Sequence, residues 1–343
     1  MNIHKIEIEG FKSIGKISIV EPNHFSVFVG PNAAGKSNIF EALEFLSLCN
    51  ILYPLEVVKL FGKNNEILNQ LNIERNILFL QVGVDLGKIN SNLGISFVDI
   101  EGDVRVTNAY ANNLNISSKI MKQINPLADD FNKDESFKNF FNFSRLFVGK
   151  RNYLSRNDDS KLSTDASNLE KVLNRILKNE SIREEILEIL QLLIPGFSKV
   201  EIVTEPLSGN DNLLVYEESL PKPLKKSLIS DGTYNILSII TALYQSEEPQ
   251  FLCIEEPENG LNPKVVRELV KIIRQRCKEK GYYVWLNTHS QTLVSELTKD
   301  EIILVDKHNG LTEIKQVKDI DIPQGLKMDE ALLTNVLGGG IPW

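Results

Sequence analysis

The chain has 343 residues, 42% of them hydrophobic and 24% charged, which is enough for about two domain-sized units and a full hydrophobic core. Its formal net charge of −8 excludes a general electrostatic attraction to nucleic acid, although a local basic groove stays compatible with it. No apolar run approaches the ~18 residues of a membrane span and the N-terminus lacks the apolar core of a signal peptide, so the sequence predicts a cytoplasmic protein with no membrane partner.

The N-terminal part of the chain predicts three strands, a glycine-rich loop and a helix. Alternating apolar residues predict strands over residues 3–8 and over Lys16–Val20, on either side of the segment GFKSI at residues 10–14. His24–Val29 is a short apolar strand, and Asn38–Leu48 carries apolar residues at helical spacing. The glycine-rich loop therefore lies between a strand and a helix.

The middle of the chain changes from strands to helices. Residues 50–75 are mixed and fit neither pattern. Strands are predicted for Ile77–Val84, Gly94–Asp99 and Val104–Thr107. The Asn-rich stretch from Asn108 to Asn115 is predicted to be a loop. From Ser117 to about Ile194 the pattern is helical, with one helix beginning near Asn168 and another capped by Ser181.

The last third alternates short strands with helices, which predicts an α/β core. The predicted strands are Val200–Thr204, Leu213–Glu217, Phe251–Ile254, Tyr282–Leu286, Ile302–Asp306 and Leu311–Val317. A helix follows the polar turn SDGT, with its N-cap at residue 230 or 231, and another begins at Pro263. The three cysteines, Cys49, Cys253 and Cys277, are isolated within apolar patterns, which indicates core residues rather than a metal or redox site.

Residues 30–37 read GPNAAGKS and match G-x-x-x-x-G-K-[ST], the pattern of a phosphate-binding P-loop, without a mismatch. Gly30 and Gly35 allow the backbone N–H groups to point inward at anionic oxygens, and the N-terminus of the following helix adds partial positive charge. Lys36 would reach the β- and γ-phosphates, and the Ser37 hydroxyl would bind Mg²⁺. The sequence therefore predicts a nucleoside triphosphate site.

A second motif supplies acids to this site. The apolar strand Phe251–Ile254 ends in Glu255 and Glu256, which is the Walker B position of a P-loop protein. Glu255 is expected to hold Mg²⁺ through water, and Glu256 to orient and deprotonate the attacking water. His289 ends the next strand, where it is placed to contact the γ-phosphate. The alternatives are a surface acid cluster for the glutamates and a packing or surface role for the histidine.

Four motifs in this order carry a family resemblance: GPNAAGKSN at 30–38, SDGT at 230–233, IEEPENGLNP at 254–263 and NTHS at 287–290. Together they resemble the ABC-type ATPases of the SMC/RecF/OLD group, in particular the small RecF-like heads of bacterial antiphage systems. The resemblance extends from the opening IEIEGFKSI at residues 6–14 to about Leu297. The four motifs together are specific, whereas SDGT alone would be a weak signal.

The resemblance implies an α/β fold, a P-loop ABC-ATPase head with a mixed-sheet lobe I and an inserted helical lobe II. Lobe I is expected at about 1–110 and 246–325, lobe II at about 111–245, and a C-terminal tail at about 326–343. The implied cofactors are ATP and Mg²⁺, with Ser37 and Glu255 on the metal. The residues implied on the nucleotide are Asn32, Gly35, Lys36, Ser37 and Asn38.

The resemblance also implies a site shared between two subunits. Residues 230–233 match the ABC signature, which contacts the γ-phosphate held by the opposite subunit, so Ser230 and Gly232 are expected on a partner's nucleotide. Residues 259–262 match the D-loop at the dimer seam, and His289 matches the switch histidine. Glu256 takes the place of the catalytic base.

Two features depart from the family pattern. Glu255 stands where Asp is more frequent, and it should still bind Mg²⁺. The glutamine of the Q-loop has no clear position, since Gln81 and the loop after Val148 are both candidates. The coupling between the lobes therefore stays open.

The function implied by the resemblance is an ATPase that dimerises around ATP and controls a separately encoded effector, a Toprim-like nuclease or another toxin, in antiphage defence. OLD nucleases carry a Toprim domain downstream, and too few residues follow His289 to form one. The helical block from about Ser117 to Ile194 and the segment Leu332–Trp343 are the predicted docking surfaces for the effector on a homodimer or higher homo-oligomer.

Three other functions compete with this one: a RecF-like DNA-binding ATPase in DNA repair, a membrane transporter ATPase and a self-sufficient nuclease. Basic residues at 150, 151 and 156 and at 222, 225 and 226 would favour DNA as a partner if they are more than solvated surface. The GFKSI opening and the SDGT signature disfavour the transporter. The lack of an acidic metal cluster outside the ATP site disfavours the nuclease.

Overall fold

The structure of the chain, a computed structural model, describes residues 2–49, 52, 54–62, 64–69, 71, 77–85, 90–100, 103–111, 114–116, 142–148, 158–206, 209, 211–320 and 328–333. The strands are β1 Asn2–Phe11, β2 Ile14–Val20, β3 Phe25–Val29, β4 Ile77–Asp85, β5 Asn90–Ile100, β6 Asp103–Ala111, β7 Leu114–Ile116, β8 Phe143–Leu146, β9 Phe197–Thr204, β10 Asp211–Glu217, β11 Leu224–Lys225, β12 Phe251–Glu255, β13 Tyr283–Thr288, β14 Ile302–His308 and β15 Leu311–Gln316. The helices are α1 Lys36–Leu48, α2 Pro54–Phe61, α3 Asn64–Ile67, α4 Leu169–Leu177, α5 Glu180–Leu193, α6 Asp231–Tyr244, α7 Pro263–Lys280, α8 Gln291–Val294 and α9 Met328–Leu333.

The chain divides into two compact units, one of residues 1–143 with 287–343 and one of residues 144–286. The lobes predicted from the sequence are divided near 110 and 246, and that division stays a prediction. Among the described residues, no helix combines the length and the apolar character needed to cross a membrane.

The first unit is built on a mixed sheet with the strand order β7-β6-β5-β4-β1-β2-β15-β14-β3. Neighbouring strands pair antiparallel, except that β15 is parallel to β2 and β14 is parallel to β3. The β14–β15 hairpin therefore lies between β2 and β3. This order brings the turn after β1 and the start of β15 to the P-loop that follows β3.

Helix α1 is anchored to the first unit by contacts between aromatic side chains, most of which are buried. The Phe45 ring meets the Phe11, Phe61 and Phe97 rings edge-on, with centroids 5.9, 5.4 and 5.5 Å away. The apolar positions that predict the helix, which include Leu43, are buried. Because burial of apolar surface is the main stabilising term in folding, this packing fixes α1 and the loop at its N-terminus.

Helix α6 forms the centre of the second unit. Its residues from Asn235 to Tyr244 are all buried, as expected for a helix that is apolar on every side. Helices α4 and α5 pack against it, and it packs on β12. Strand β12 lies between β13 and β8, and the Phe251 ring on β12 meets the Trp285 ring on β13 at 4.8 Å.

Most predicted elements are confirmed. The strands predicted at Ile77–Val84, Val200–Thr204 and Phe251–Ile254 correspond to β4, β9 and β12, and the predicted C-terminal hairpin is formed by β14 and β15. The cysteines at 49, 253 and 277 are buried, as predicted, and burial raises the pKa of the Cys49 thiol.

Three predictions about the middle of the chain are wrong. The stretch Asn108–Asn115 is not simply a loop, since β6 runs to Ala111, β7 begins at Leu114, and the two strands pair. The region predicted as helical contains strand β8, while its residues 117–141 lie outside the described residues. Helix α5 is capped by Asn179, whose side chain accepts from the backbone N–H of Ile182, so Ser181 is inside the helix.

Candidate nucleotide site

The P-loop joins β3 to α1 in a conformation that requires glycine at two positions. Gly35 has φ of 102° at the N-cap of α1, and a β-carbon there would lie 2.0 Å from Thr312 Oγ1. A β-carbon on Gly30 would lie 2.0 Å from the Val305 carbonyl oxygen on β14. Both predicted glycines are therefore fixed by the tight approach of the β14–β15 hairpin to the loop.

The Lys36 side chain lies along the P-loop. Its Nζ donates to the backbone oxygens of Gly30 at 2.8 Å and Pro31 at 2.9 Å, and the residue is 7% exposed. The loop carbonyls hold the ammonium at the N-terminus of α1, where the phosphates of a nucleotide would lie. Of the other predicted loop residues, Asn32 is exposed and Ser37 is half-buried.

A chain of hydrogen bonds supports the P-loop from the turn after β1. Asn38 Nδ2 donates to Ser13 Oγ at 2.7 Å, and Ser13 Oγ lies 2.6 Å from Thr312 Oγ1. Thr312 Oγ1 donates to the Ala34 carbonyl at 2.9 Å, so the hydrogen between the two hydroxyls comes from Ser13. The GFKSI segment thus has a local structural function, because its serine links α1 to the hairpin that holds the loop.

Glu255 ends β12 as predicted and is paired with an arginine. Its side chain is 1% exposed, and its Oε1 accepts from Arg145 Nε at 2.6 Å and from Arg145 Nη2. Arg145 lies on β8, the strand next to β12, and its side chain is 8% exposed. The Ser37 hydroxyl and the Glu255 carboxylate are oxygen donors of the kind that Mg²⁺ prefers, so their chemistry fits this ion.

Glu256 is half-buried just after β12, in a strained backbone conformation. Its φ is 48°, an uncommon value for a residue with a side chain. Its Oε2 accepts from Asn259 Nδ2 at 2.8 Å, and its carbonyl accepts from the Asn259 backbone N–H at 3.1 Å. Strain of this kind is common at functional sites.

The predicted signature turn is the exposed N-terminus of α6. Ser230 is its N-cap, and the Ser230 Oγ accepts from the backbone N–H of Thr233 at 3.1 Å. Ser230 and Asp231 are exposed, whereas Gly232 is buried. An anion approaching this turn would meet the N-terminal end of a buried helix, where backbone N–H groups point outward.

The signature turn and the predicted D-loop pack closely together within the second unit. A β-carbon on Gly232 would lie 2.4 Å from the Gly260 carbonyl oxygen, so glycine is needed for this approach. One turn along α6, Asn235 Nδ2 donates to the Pro257 oxygen at 3.1 Å and to the Asn259 oxygen at 2.9 Å. Asn235 therefore connects α6 to the loop that carries Glu256.

His289 lies between β13 and α8, and its side chain is exposed. Thr288 Oγ1 accepts from the Ser290 backbone N–H at 2.9 Å, and Ser290 caps α8. These bonds on both sides fix the backbone of the histidine. The predicted contact of His289 with the γ-phosphate stays a prediction.

Of the other residues that the sequence predicted to have a function, some lie in the part of the chain that the structure describes and others lie outside it. Gln81 is inside β4, where it pairs with Glu7 and Gly94 in the sheet ladder. The loop after Val148, the basic residues at 150, 151 and 156, and the tail beyond residue 333 lie outside the described residues. Lys226 forms an ion pair with Glu170 at 2.8 Å.

The sequence did not predict a site function for Arg145, Ser13, Thr312 or Asn235. One signal was available for Arg145, because a single charge within the apolar run FSRLFV at 143–148 predicts a buried partner. Thr312 and Asn235 give no such signal, because their functions depend on which segments meet in space.

The comparisons with known proteins give the family. A family model described as "AAA domain, putative AbiEii toxin, Type IV TA system" matches residues 25–295, which is well over half of the chain. Among solved structures, the Smc head bound to the C-winged helix domain of ScpA has a TM-score of 0.60 at 15% identity, covering 92% of this chain and 98% of that chain. The SMC head domain from Thermotoga maritima has a TM-score of 0.55 at 16% identity, covering 93% and 100%. At this identity the two structures show the fold alone.

Curated relatives match shorter stretches or at lower identity. The energy-coupling factor transporter ATP-binding protein EcfA1 of Methanospirillum hungatei is 32% identical over 94 residues, 26% of this chain and 33% of that protein. The chromosome partition protein Smc of Methanocaldococcus jannaschii is 46% identical over 46 residues, 13% of this chain and 4% of that protein. The spermidine/putrescine import ATP-binding protein PotA of Onion yellows phytoplasma is 21% identical over 315 residues, 88% of this chain and 64% of that protein. The chain spans less than two thirds of each of these relatives.

The sequence motifs, the mixed α/β fold and the family match agree with one another. The chain belongs to the family of AAA domains with that description, and it shares the fold of SMC head domains.

Proposed function

We propose that the protein is an ATP-binding and ATP-hydrolysing switch that dimerises around ATP and controls a separately encoded effector in bacterial antiphage defence. The observation that carries this proposal is the exposed N-terminus of α6 at Ser230 and Asp231. The chain thus presents to solvent a second helix N-terminus, in addition to that of α1, and a helix N-terminus is suited to binding phosphate. A nucleotide held between two subunits would use both helix ends.

Nucleotide binding in one subunit depends on the P-loop. The Lys36 ammonium exchanges the Gly30 and Pro31 carbonyls for β- and γ-phosphate oxygens, while the loop N–H groups bind the phosphates. Asn32 and Asn38 flank the phosphates. The supporting bonds through Ser13 and Thr312 hold the loop in this shape before the nucleotide arrives.

Hydrolysis depends on acids and donors placed around the γ-phosphate. Glu256 accepts a proton from the attacking water, and His289 contacts the γ-phosphate. Mg²⁺, when bound by Ser37 and Glu255, neutralises charge on the phosphates. Ser230 and Gly232 of the opposite subunit donate to the γ-phosphate, which makes hydrolysis depend on the dimer.

Control of an effector is the finer part of the proposal. The family description refers to a toxin of a type IV system, and the Smc head described above is bound to a domain of ScpA. Both support a head that acts together with another protein. ATP hydrolysis produces an effect only when it biases a second two-state element, so we assign a nuclease or toxin to a homodimer or higher homo-oligomer of this chain.

Two substitutions test the chemistry. Lys36→Ala should weaken ATP binding at least about 10-fold, since it removes the cation on the β- and γ-phosphates. Glu256→Gln should keep ATP binding and slow hydrolysis at least about 100-fold, because the amide accepts no proton. Glu268→Gln on α7, where Glu268 pairs with Lys271 at 2.9 Å, is the control and should leave both unchanged. Hydrolysis by Glu256→Gln at near the wild-type rate would show that the base is another residue.

Co-purification with the product of the adjacent gene tests the partner. An ATP-dependent complex with a nuclease or toxin is expected. Tight, salt-sensitive DNA binding by the protein alone would instead favour the RecF-like alternative.

A further inference from the structure

Arg145, which forms a buried ion pair with Glu255, has no role in the hydrolysis proposed for this protein. Both side chains are at least nine-tenths buried, and two guanidinium nitrogens donate to one carboxylate oxygen. Charges removed from water to this extent need a partner of opposite sign. In this structure the compensating charge for Glu255 is supplied by Arg145.

The length of the Glu255 side chain fits this pairing. Neighbouring strands lie about 4.8 Å apart, and the pair spans the gap between β12 and β8. Aspartate at this position would be one methylene shorter. Glutamate can therefore reach an arginine on the next strand while its backbone keeps the Walker B position.

We propose that Arg145 is a positioning residue that fixes and neutralises the Glu255 carboxylate, and thereby sets how strongly ATP binding depends on Mg²⁺. The proposal rests on the function proposed above, in which Glu255 contributes to the metal site. A carboxylate whose charge is already compensated attracts a divalent cation less strongly than an unpaired one. The pair therefore reduces the contribution of Mg²⁺ to nucleotide affinity.

The test compares ATP affinity with and without Mg²⁺. The measured quantity is the ratio of the Kd for ATP in EDTA to the Kd in Mg²⁺, obtained by calorimetry. In Arg145→Met this ratio should rise at least about 10-fold over the wild type, since Glu255 without the Arg145 guanidinium repels phosphate and attracts Mg²⁺ more strongly. In the double variant Arg145→Met/Glu255→Gln, which has neither charge, the rise should disappear.

A matched control and a second variant keep the test decisive. Arg183→Met removes an exposed arginine that pairs with Glu180 at 3.2 Å, and it should leave the ratio unchanged. Removing one partner of a buried pair is strongly destabilising, so Arg145→Met can fail to fold. In that case Arg145→Lys, which keeps the charge but not the two-point contact, should raise the ratio at least about threefold.

Each outcome has a definite meaning. An unchanged ratio in a folded Arg145 variant, or an equal rise in the double variant, would overturn the assignment of Arg145. Wild-type protein that shows no Lys36-dependent ATP binding would overturn the proposed function and this inference with it. Loss of thermal stability with an unchanged ratio would make Arg145 a structural residue only.

Discussion

Gly35 shows at the scale of one residue how this fold constrains its nucleotide loop. Its backbone is left-handed, with φ of 102°, and a β-carbon would meet two side-chain oxygens, Thr312 Oγ1 at 2.0 Å and Ser13 Oγ at 2.7 Å. These are the hydroxyls that link α1 to the β14–β15 hairpin. A side chain at Gly35 would therefore displace the supports of the loop.

We predict that Gly35→Ala abolishes measurable ATP binding and lowers the free energy of unfolding by the cost of overpacking, about 1–3 kcal/mol, in addition to the strain. Gly281→Ala is the matched control, because Gly281 has φ of 66° at the end of α7 and nothing lies within 4 Å of its added β-carbon. Gly281→Ala should lower the free energy of unfolding only by the backbone strain, about 1–2 kcal/mol, and should leave ATP binding intact. Denaturant unfolding and calorimetric ATP titration measure both effects. Equal stability losses in the two variants would show that the contacts around Gly35 are unimportant.

At the residue scale, the sequence predicted the side chains that belong to contiguous motifs. Gly35 and Glu255 occupy the loop and strand positions expected of them, whereas Lys36, which was predicted in the loop, is the first residue of α1. The partners that hold them were not predictable in the same way. Thr312 is 278 residues from Ala34, the residue whose carbonyl it contacts, and Arg145 is 110 residues from Glu255, so only the folded chain brings them together.

At the scale of elements, α6 and the loop after β12 form one packed assembly within the second unit. Asn235, which is buried on α6, donates to two carbonyls of the loop, at Pro257 and Asn259. Asn259 in turn donates to the Glu256 carboxylate. A displacement of α6 would therefore be transmitted to the proposed base through two successive side-chain contacts.

We predict that Asn235→Leu slows ATP hydrolysis at least about 10-fold and leaves ATP binding within about twofold, since it releases the loop that carries Glu256 and leaves the P-loop untouched. Two unpaired carbonyls should also cost about 1–3 kcal/mol of stability. Ser238→Ala is the control on the same helix, because the Ser238 hydroxyl donates to the Tyr234 carbonyl at 2.8 Å, within α6 itself. Steady-state kinetics and ATP titration separate the two parameters. A loss of ATP binding equal to the loss of rate would contradict the assignment of Asn235 to the catalytic loop.

Local elements were predicted better than long-range ones. The run of strand, loop and helix from β3 to α1 is determined by neighbouring residues. The N-cap of α6 is Ser230, which is one of the two residues predicted for that position. The pairing of β6 with β7 was missed because ladder bonds between strands outweigh the low strand preference of asparagine. Strand β8 was missed because it is only four residues long, which is too short for alternation of apolar and polar residues to be recognised.

At the scale of the whole molecule, we propose that the chain has two phosphate-binding helix ends that act on different nucleotides. In the proposed dimer, the P-loop at α1 holds the nucleotide of its own subunit, and the signature at α6 meets the nucleotide of a second subunit. A two-fold arrangement gives two such sites per dimer, each with one contribution from either chain. An inactive substitution in one chain can therefore be compensated by the other.

The most direct test of this claim mixes two inactive variants, Lys36→Ala and Ser230→Arg. In a mixed dimer one site combines both substitutions, while the other has an intact Lys36 and an intact Ser230. Random mixing makes half of the dimers mixed, so about a quarter of the wild-type ATPase activity should return. The double variant Lys36→Ala/Ser230→Arg mixed with either single variant is the control and should stay inactive. The predicted result is that about a quarter of the ATPase activity returns in the mixture of Lys36→Ala and Ser230→Arg, and in no other mixture. If the variants are folded and no mixture regains activity, the nucleotide is not shared between two subunits.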